Sequence, residues 1–119
     1  MSSKTKKIVA EFYKTSSGTE PVRKWLKGLP IEDCKIIGKD IATIEFTWPV
    51  GMPLCRPLNG GILEVRSDLE HGRISRVLFF NLRSRMVLVH GFIKKAQKTP
   101  PRDLQLAIKR MKEVLKHDS

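Results

Sequence analysis

The residues best suited to chemistry lie in a predicted strand that reads Leu-Val-His-Gly-Phe-Ile-Lys-Lys. Side chains alternate between the two faces of a β-strand, so His90, Phe92 and Lys94 share one face. Histidine transfers protons near neutral pH, an aromatic ring can stack on an unpaired base, and lysine neutralises phosphate. Together with Lys95 and Lys98, this cluster suggests a site for RNA or another phosphodiester.

Two arginines on other predicted strands form the second group of interest. Residues 62–66 alternate in polarity, so Glu64 and Arg66 point to one face of their strand. A solvated face with a cross-strand ion pair would produce the same pattern. Arg76 interrupts an otherwise apolar strand, where a charge needs a partner or a function. Two interpretations stay open: Arg76 forms a buried ion pair, with Glu64 as the candidate partner, or it holds its guanidinium out to a phosphate.

The same residue types could cleave RNA without a metal or a cofactor. No cluster of carboxylates indicates a metal site, and Cys34 and Cys55 form no zinc-binding pattern. The 2′-hydroxyl of the RNA would attack the adjacent phosphate. A base would remove its proton, cations would stabilise the charged phosphorane, and an acid would protonate the leaving 5′-oxygen. Arginine and lysine suit the middle role, and His90 suits either proton transfer.

The charge of the chain supports a polyanionic partner. The 119 residues carry 23 Lys and Arg against 12 Asp and Glu, a net charge of +11. Seven of the nine arginines lie in residues 60–119. The length predicts a single domain over residues 1–119. Without an apolar run long enough for a membrane span or a secretory signal, the chain is expected to be cytoplasmic.

The elements that must position these residues follow from apolar spacing and turn residues. Predicted strands span residues 7–13, 54–58, 62–69, 73–82 and 85–93, and predicted helices span 22–27, 30–48 and 101–117. The apolar stripe of the second helix consists of Ile37, Ile41, Ile44 and Trp48. The short spacing of the last three strands predicts an antiparallel meander. We therefore expect an α+β sandwich with all helices on one sheet face and the other face open for a site.

These residues resemble a known family, the RelE/ParE toxin superfamily, in its phage-derived HigB-like branch. The resemblance covers nearly the whole chain. It is carried by Leu63-Glu64-Val65-Arg66, by Arg76-Val77-Leu78-Phe79, and by His90-Gly91-Phe92-Ile93-Lys94-Lys95-Ala96-Gln97-Lys98-Thr99-Pro100 before a helix. It implies a small RelE-like sandwich and the toxin of a type II toxin–antitoxin pair.

The resemblance also implies an activity and partners. HigB and RelE toxins enter the ribosomal A site and cut mRNA during translation. A helix-turn-helix antitoxin neutralises them, and the toxin meets operator DNA only through that complex. The resemblance gives Arg66 and Arg76 the role of phosphate and transition-state cations, and makes His90 the proton-transfer candidate. It implies that Phe92 stacks on a base and that RNA or ribosome binding falls to Lys94, Lys95 and Lys98. Some RelE-type enzymes use a C-terminal tyrosine, whereas the tyrosine here, Tyr13, lies in the first predicted strand.

Two alternatives belong to other functional classes. ParE-like members of the superfamily inhibit DNA gyrase by binding it and cut no RNA. A nucleic-acid-binding module without catalysis would also satisfy the net charge of +11. Arg66, Arg76 and His90 favour the nuclease, because a gyrase inhibitor needs no phosphate-facing set of cations.

Overall fold

The structure, a computed structural model, describes residues 5–94 and 98–118. Within these residues the elements are β1 (Val9–Phe12), α1 (Pro21–Lys27), α2 (Ile31–Thr47), β2 (Cys55–Pro57), β3 (Leu63–Asp68), β4 (Ile74–Leu82), β5 (Arg85–Lys94) and α3 (Pro101–Asp118). This order confirms the predicted α+β class, with an N-terminal strand, two helices, four further strands and a C-terminal helix. No helix of the described residues is long and apolar enough to cross a membrane.

The strands form one sheet in the order β1–β5–β4–β3–β2. The neighbours from β2 to β5 are antiparallel, which confirms the predicted meander, and β1 lies parallel to β5. Pairing between β1 and β5 ends with Phe12 opposite Leu88. This point precedes the part of β5 that carries His90 and Phe92.

The helices α1 and α2 cover one face of the sheet. Three residues of the predicted stripe, Ile37, Ile41 and Ile44, are buried in one apolar cluster with inward side chains of β3 and β4. The fourth, Trp48, lies at the C-cap of α2 and is partly buried against this cluster. Proline at the first position of α1 presets its backbone, and Glu32 and Asp33 in the first turn of α2 suit the positive end of its dipole.

The helix α3 covers the opposite face, so the prediction that all helices share one face is wrong. Ala107 and Met111 of α3 are buried in a second cluster with Leu78, Phe80 and Val87. The physical reason lies in β4, whose consecutive apolar residues are buried on both faces and need cover on each side. The face predicted to be open is therefore only partly exposed.

Two buried carboxylates fasten α2 to the rest of the chain. Glu45 accepts a hydrogen bond from the backbone N–H of Ala10 at 2.7 Å and from Lys6 Nζ at 3.2 Å, which ties α2 to β1. Asp33 accepts two hydrogen bonds from the guanidinium of Arg73, at 2.7 and 3.0 Å. These bonds lower the pKa of Asp33 below its ordinary value of 3.8 and hold α2 to the start of β4.

Gly91 allows α1 to approach β5 closely. A Cβ atom at this position would lie 2.5 Å from two ring carbons of Trp25, which packs with the α1–α2 cluster. Only a residue without a side chain fits there, so the β5 backbone beside His90 is held directly against α1.

We predict that Gly91→Ala lowers the free energy of unfolding by about 1–3 kcal/mol, because the added methyl group overpacks the Trp25 contact. Gly38→Ala is the matched control. Gly38 is an exposed residue of α2, and a Cβ atom added there would meet nothing within 4 Å, so alanine should stabilise the helix by about 0.5–1 kcal/mol. Urea unfolding measures both. Equal stability of the two variants would contradict the close contact.

Candidate functional site

Strand register brings the predicted site residues of the sheet onto one face. Arg66 of β3 lies opposite Arg76 of β4, and Arg76 lies opposite Phe92 of β5. His90 lies opposite Leu78, which packs in the α3 cluster. Directly opposed residues of antiparallel strands project to the same face, so these side chains belong to the face that α3 partly covers. Arg66 and Phe92 are two strand spacings apart, roughly 10 Å.

Arg76, at the centre of this row, is fully buried in an ion pair. Its Nη1 donates to Glu64 Oε1 at 2.9 Å, and both side chains are 0% exposed. The other carboxylate oxygen of Glu64 accepts a hydrogen bond from the Thr99 hydroxyl. Of the two interpretations that the sequence left open, the ion pair with Glu64 is the one present here. Contact between Arg76 and a phosphate stays a prediction, and it would require the guanidinium to leave this pair.

Arg66, Arg76 and Phe92 form a row across the sheet, and Arg66 is the arginine of this row that solvent can reach. Its side chain is 41% exposed, and its Nε lies 4.0 Å from a carboxylate oxygen of Asp68, an exposed contact of little energy. Arg66 also lines an open cleft of about 560 Å³ between α2 and the residues that precede β2. The other lining residues are Ile36, Lys39, Asp40, Pro53, Leu54 and Asp68. A phosphate could reach Arg66 without displacing a strong partner.

His90 is held between an aromatic ring and a carboxylate. Its ring stacks on Phe92 with centroids 5.4 Å apart and planes 30° apart. Its Nε2 lies 2.7 Å from Oδ1 of Asp103, which occupies the first turn of α3, where the helix dipole favours a negative charge. A carboxylate accepts hydrogen bonds, so we assign the proton to Nε2. Nδ1 is then the nitrogen left for proton transfer.

A β-bulge precedes His90 in β5. The register of β4 and β5 shifts between Leu78 and Phe79, which leaves Val89 as an extra residue. Arg110 of α3 donates from Nη1 to the backbone oxygen of Val89 at 2.7 Å, and so satisfies a carbonyl at the bulge. Bulges of this kind redirect the following side chain, here that of His90. A crevice of about 210 Å³ beside it is lined by Pro21, Val22, Trp25, His90, Gly91 and Arg110.

The predicted phosphate-binding lysines lie at the end of β5 and after it. Lys94 is the last residue of β5, opposite Ile74, and nothing is described of its side chain. Lys95 lies outside the described residues, and Lys98 is exposed. Among the residues that the structure describes, no group of three or more His, Cys, Asp or Glu side chains could hold a metal ion.

Asp103 and Thr99 also belong to the site, although the sequence pattern did not indicate them. Both lie close to the strand residues they contact only because the chain turns back after β5 and α3 crosses the sheet face. An acidic residue in the first turn of a helix ordinarily complements the helix dipole, so its type gave no reason to pair it with His90.

Tyr13 belongs to a separate polar cluster under α3. Its hydroxyl donates to Glu113 Oε2 at 2.5 Å, and the guanidinium of Arg110 lies 5.4 Å from its ring centroid. Burial and the bond to Glu113 raise the pKa of Tyr13 above its ordinary value of 10.0. Arg110 therefore contacts both this cluster and the bulge before His90.

The fold and the site define a small α+β protein with arginine, histidine and phenylalanine on one sheet face. The chain matches the family described as Phage derived protein Gp49-like (DUF891) over residues 24–112, from within α1 to within α3. The chain therefore belongs to this phage-derived family, a RelE-like toxin family of toxin–antitoxin systems. Membership implies an antitoxin partner. None of the curated proteins matches the chain closely enough to count as a relative.

We predict that Arg76→Ala lowers the free energy of unfolding by about 3–5 kcal/mol, because it leaves Glu64 buried without its counter-charge. Arg66→Ala should change that free energy by only about 0.5 kcal/mol, because Arg66 is exposed and weakly paired. Urea unfolding of the two variants gives the comparison. Similar stability of both would contradict a structural role for the Glu64–Arg76 pair.

Proposed function

We propose that this toxin cleaves RNA on the sheet face that carries Arg66, His90 and Phe92. The observation that carries the proposal is the environment of His90. Its imidazole is stacked on Phe92, bonded to Asp103 through Nε2, and on the same face as the exposed Arg66. A fixed proton-transfer group and an accessible cation on one sheet face are what metal-independent cleavage of a phosphodiester requires.

In the proposed reaction, Nδ1 of His90 takes the proton of the RNA 2′-hydroxyl. The 2′-oxygen forms a bond to phosphorus, the bond from phosphorus to the 5′-oxygen breaks, and that oxygen takes a proton from water. The products are a 2′,3′-cyclic phosphate and a free 5′-hydroxyl. Arg66 stabilises the charge that develops on the phosphate, and Phe92 offers a ring on which a base stacks. Arg76 acts as a positioning residue, because its bond to Glu64 braces β3 against β4 beneath this face.

We further propose that the substrate is mRNA in the ribosomal A site. The net charge of +11 favours association with a particle as rich in phosphate as the ribosome. Lys94, Lys95 and Lys98 would add phosphate contacts next to His90. The antitoxin that membership of the family implies would be a helix-turn-helix protein, and operator DNA would be bound through the complex of the two.

The direct test is cleavage of a defined mRNA by the purified protein, with and without translating ribosomes, followed by mapping of the new ends. Cuts in phase with codons, present only when ribosomes translate, would support the proposal. Uncut mRNA in both arms, from a folded protein that still stops growth, would contradict the nuclease. That result would favour inhibition of DNA gyrase, which a supercoiling assay measures.

Substitution of the site residues His90 and Arg66 should lower cleavage while the fold is kept. We expect His90→Ala and Arg66→Ala to reduce the cleavage rate by roughly 100-fold or more, through loss of a proton-transfer group and of a transition-state cation. His117→Ala and Arg83→Ala are matched controls, since both residues are exposed and lie outside the candidate site, His117 near the end of α3 and Arg83 in the turn between β4 and β5. Equal losses in the variants and the controls would contradict these roles.

Asp103→Asn should reduce the cleavage rate by roughly tenfold or more, with little change in RNA binding. An asparagine amide can donate to Nε2 and so move the imidazole proton to Nδ1, the nitrogen that must accept a proton. NMR of the ¹⁵N-labelled imidazole reads the tautomer directly, and Asp118→Asn at the other end of α3 is the control. An unchanged tautomer in Asp103→Asn would refute the positioning role of Asp103.

A further inference from the structure

The outward face of α3 carries a basic stripe. Five exposed positions spaced three or four residues apart lie along one side of the helix: Arg102, Gln105, Lys109, Lys112 and Lys116. Four of these five side chains are cationic, and none is acidic. The first and last positions are fourteen residues apart, so the stripe is roughly 21 Å long.

All three acidic residues of α3 contact residues of other elements. Each is an acceptor for a residue elsewhere in the fold. The contacts are Asp103 with His90, Glu113 with Tyr13, and Asp118 with Arg83 and Arg85. In the described part of the chain, Arg102, Lys109 and Lys112 take part in none of the ion pairs.

The spacing of the lysines works against the helix. Lys109 and Lys112 are three residues apart, and Lys112 and Lys116 are four apart, so like charges face each other along the surface. Such pairs destabilise a helix, and because these side chains are exposed they do not offset that cost by packing against the core. A partner of opposite charge would turn the repulsion into attraction, which makes the stripe a candidate for binding.

The position of the stripe points to the partner. It begins at Arg102, next to the Asp103 that bonds His90, and it runs along α3 away from the candidate site. Lys98, which comes shortly before Arg102 in the chain, is also exposed. A strand of RNA that passes from His90 around the start of α3 would meet this line of cations, one phosphate charge per nucleotide.

We propose that the α3 stripe binds the phosphate backbone of the RNA strand held at the candidate site. This inference rests on the proposed function, because the RNA must pass His90 to reach the stripe. It assigns α3 a role in RNA affinity without sequence preference, since phosphate contacts carry no base information. Lys109, Lys112 and Lys116 are binding residues in this proposal and take no part in the chemical step.

The test measures binding of a 2′-O-methyl RNA oligomer, which has no free 2′-hydroxyl and cannot be cut by the proposed reaction. The full-length protein is compared with a variant that combines Lys109→Gln, Lys112→Gln and Lys116→Gln, over a series of salt concentrations. Loss of three phosphate contacts should reduce the slope of log Kd against log salt concentration by about 2. The thermal midpoint should stay close to that of the wild type, because substitutions of exposed side chains away from the core change stability little.

A charge-matched control carries Lys24→Gln, Lys27→Gln and Lys35→Gln on α1 and α2, which cover the opposite face of the sheet. Its salt slope should stay near the wild-type value. The same reduction in both triple variants would overturn the proposal, since overall charge would then explain the binding. An unchanged slope in the α3 variant, together with lost binding of the antitoxin, would overturn it in favour of a protein-docking surface.

Cleavage with translating ribosomes is measured separately on the wild type, so the two proposals fail differently. A reduced slope for the α3 variant in a protein that cuts no mRNA would support the RNA-binding stripe and contradict the nuclease. In-phase cleavage with identical salt slopes would keep the nuclease and overturn the stripe.

Discussion

The candidate site depends on one buried ion pair, between Glu64 and Arg76 on adjacent strands. Both side chains are fully buried. Removal of each charge from water costs several kcal/mol, which only well-placed partners and further hydrogen bonds can offset. Here Glu64 bonds Arg76 through one oxygen and Thr99 through the other. The pair therefore fixes the register of β3 on β4, and it also holds the chain just before α3 against the sheet face.

Arg66 and Arg76 share this sheet face but differ in their exposure to solvent. The buried Arg76 is committed to Glu64, and exchanging that carboxylate for a phosphate would leave Glu64 charged in the interior. The neighbouring Arg66 is exposed, so a phosphate there displaces mainly water and the weak contact with Asp68. Two arginines directly opposite each other on adjacent strands thus serve different ends. Arg76 holds β3 and β4 together through Glu64, and Arg66 is available to a ligand.

The sequence predicted the elements well because apolar spacing and turn residues act locally. It also placed His90 and Phe92 on one face, since two-residue alternation resumes after the bulge at Val89. It failed where contacts join distant segments. The side of the sheet that α3 covers, and the pairing of His90 with Asp103, both follow from how the chain returns after β5. For Arg76 the sequence left two interpretations open, a buried pair with Glu64 and a contact with phosphate, and only the structure shows the pair.

Apolar contacts add to the precision that the buried ion pair gives the site. Asp103 reaches His90 because α3 is seated on the sheet by Ala107 and Met111, one and two turns further along the helix. Close packing of these side chains sets the position of α3 across the strands. A displacement of about 1 Å is enough to break a catalytic hydrogen bond. On the other side of the sheet, the contact between Trp25 and Gly91 holds the same stretch of β5. His90 is thus fixed from both faces of the sheet, and a proton-transfer geometry can be kept on a strand segment that β1 does not pair.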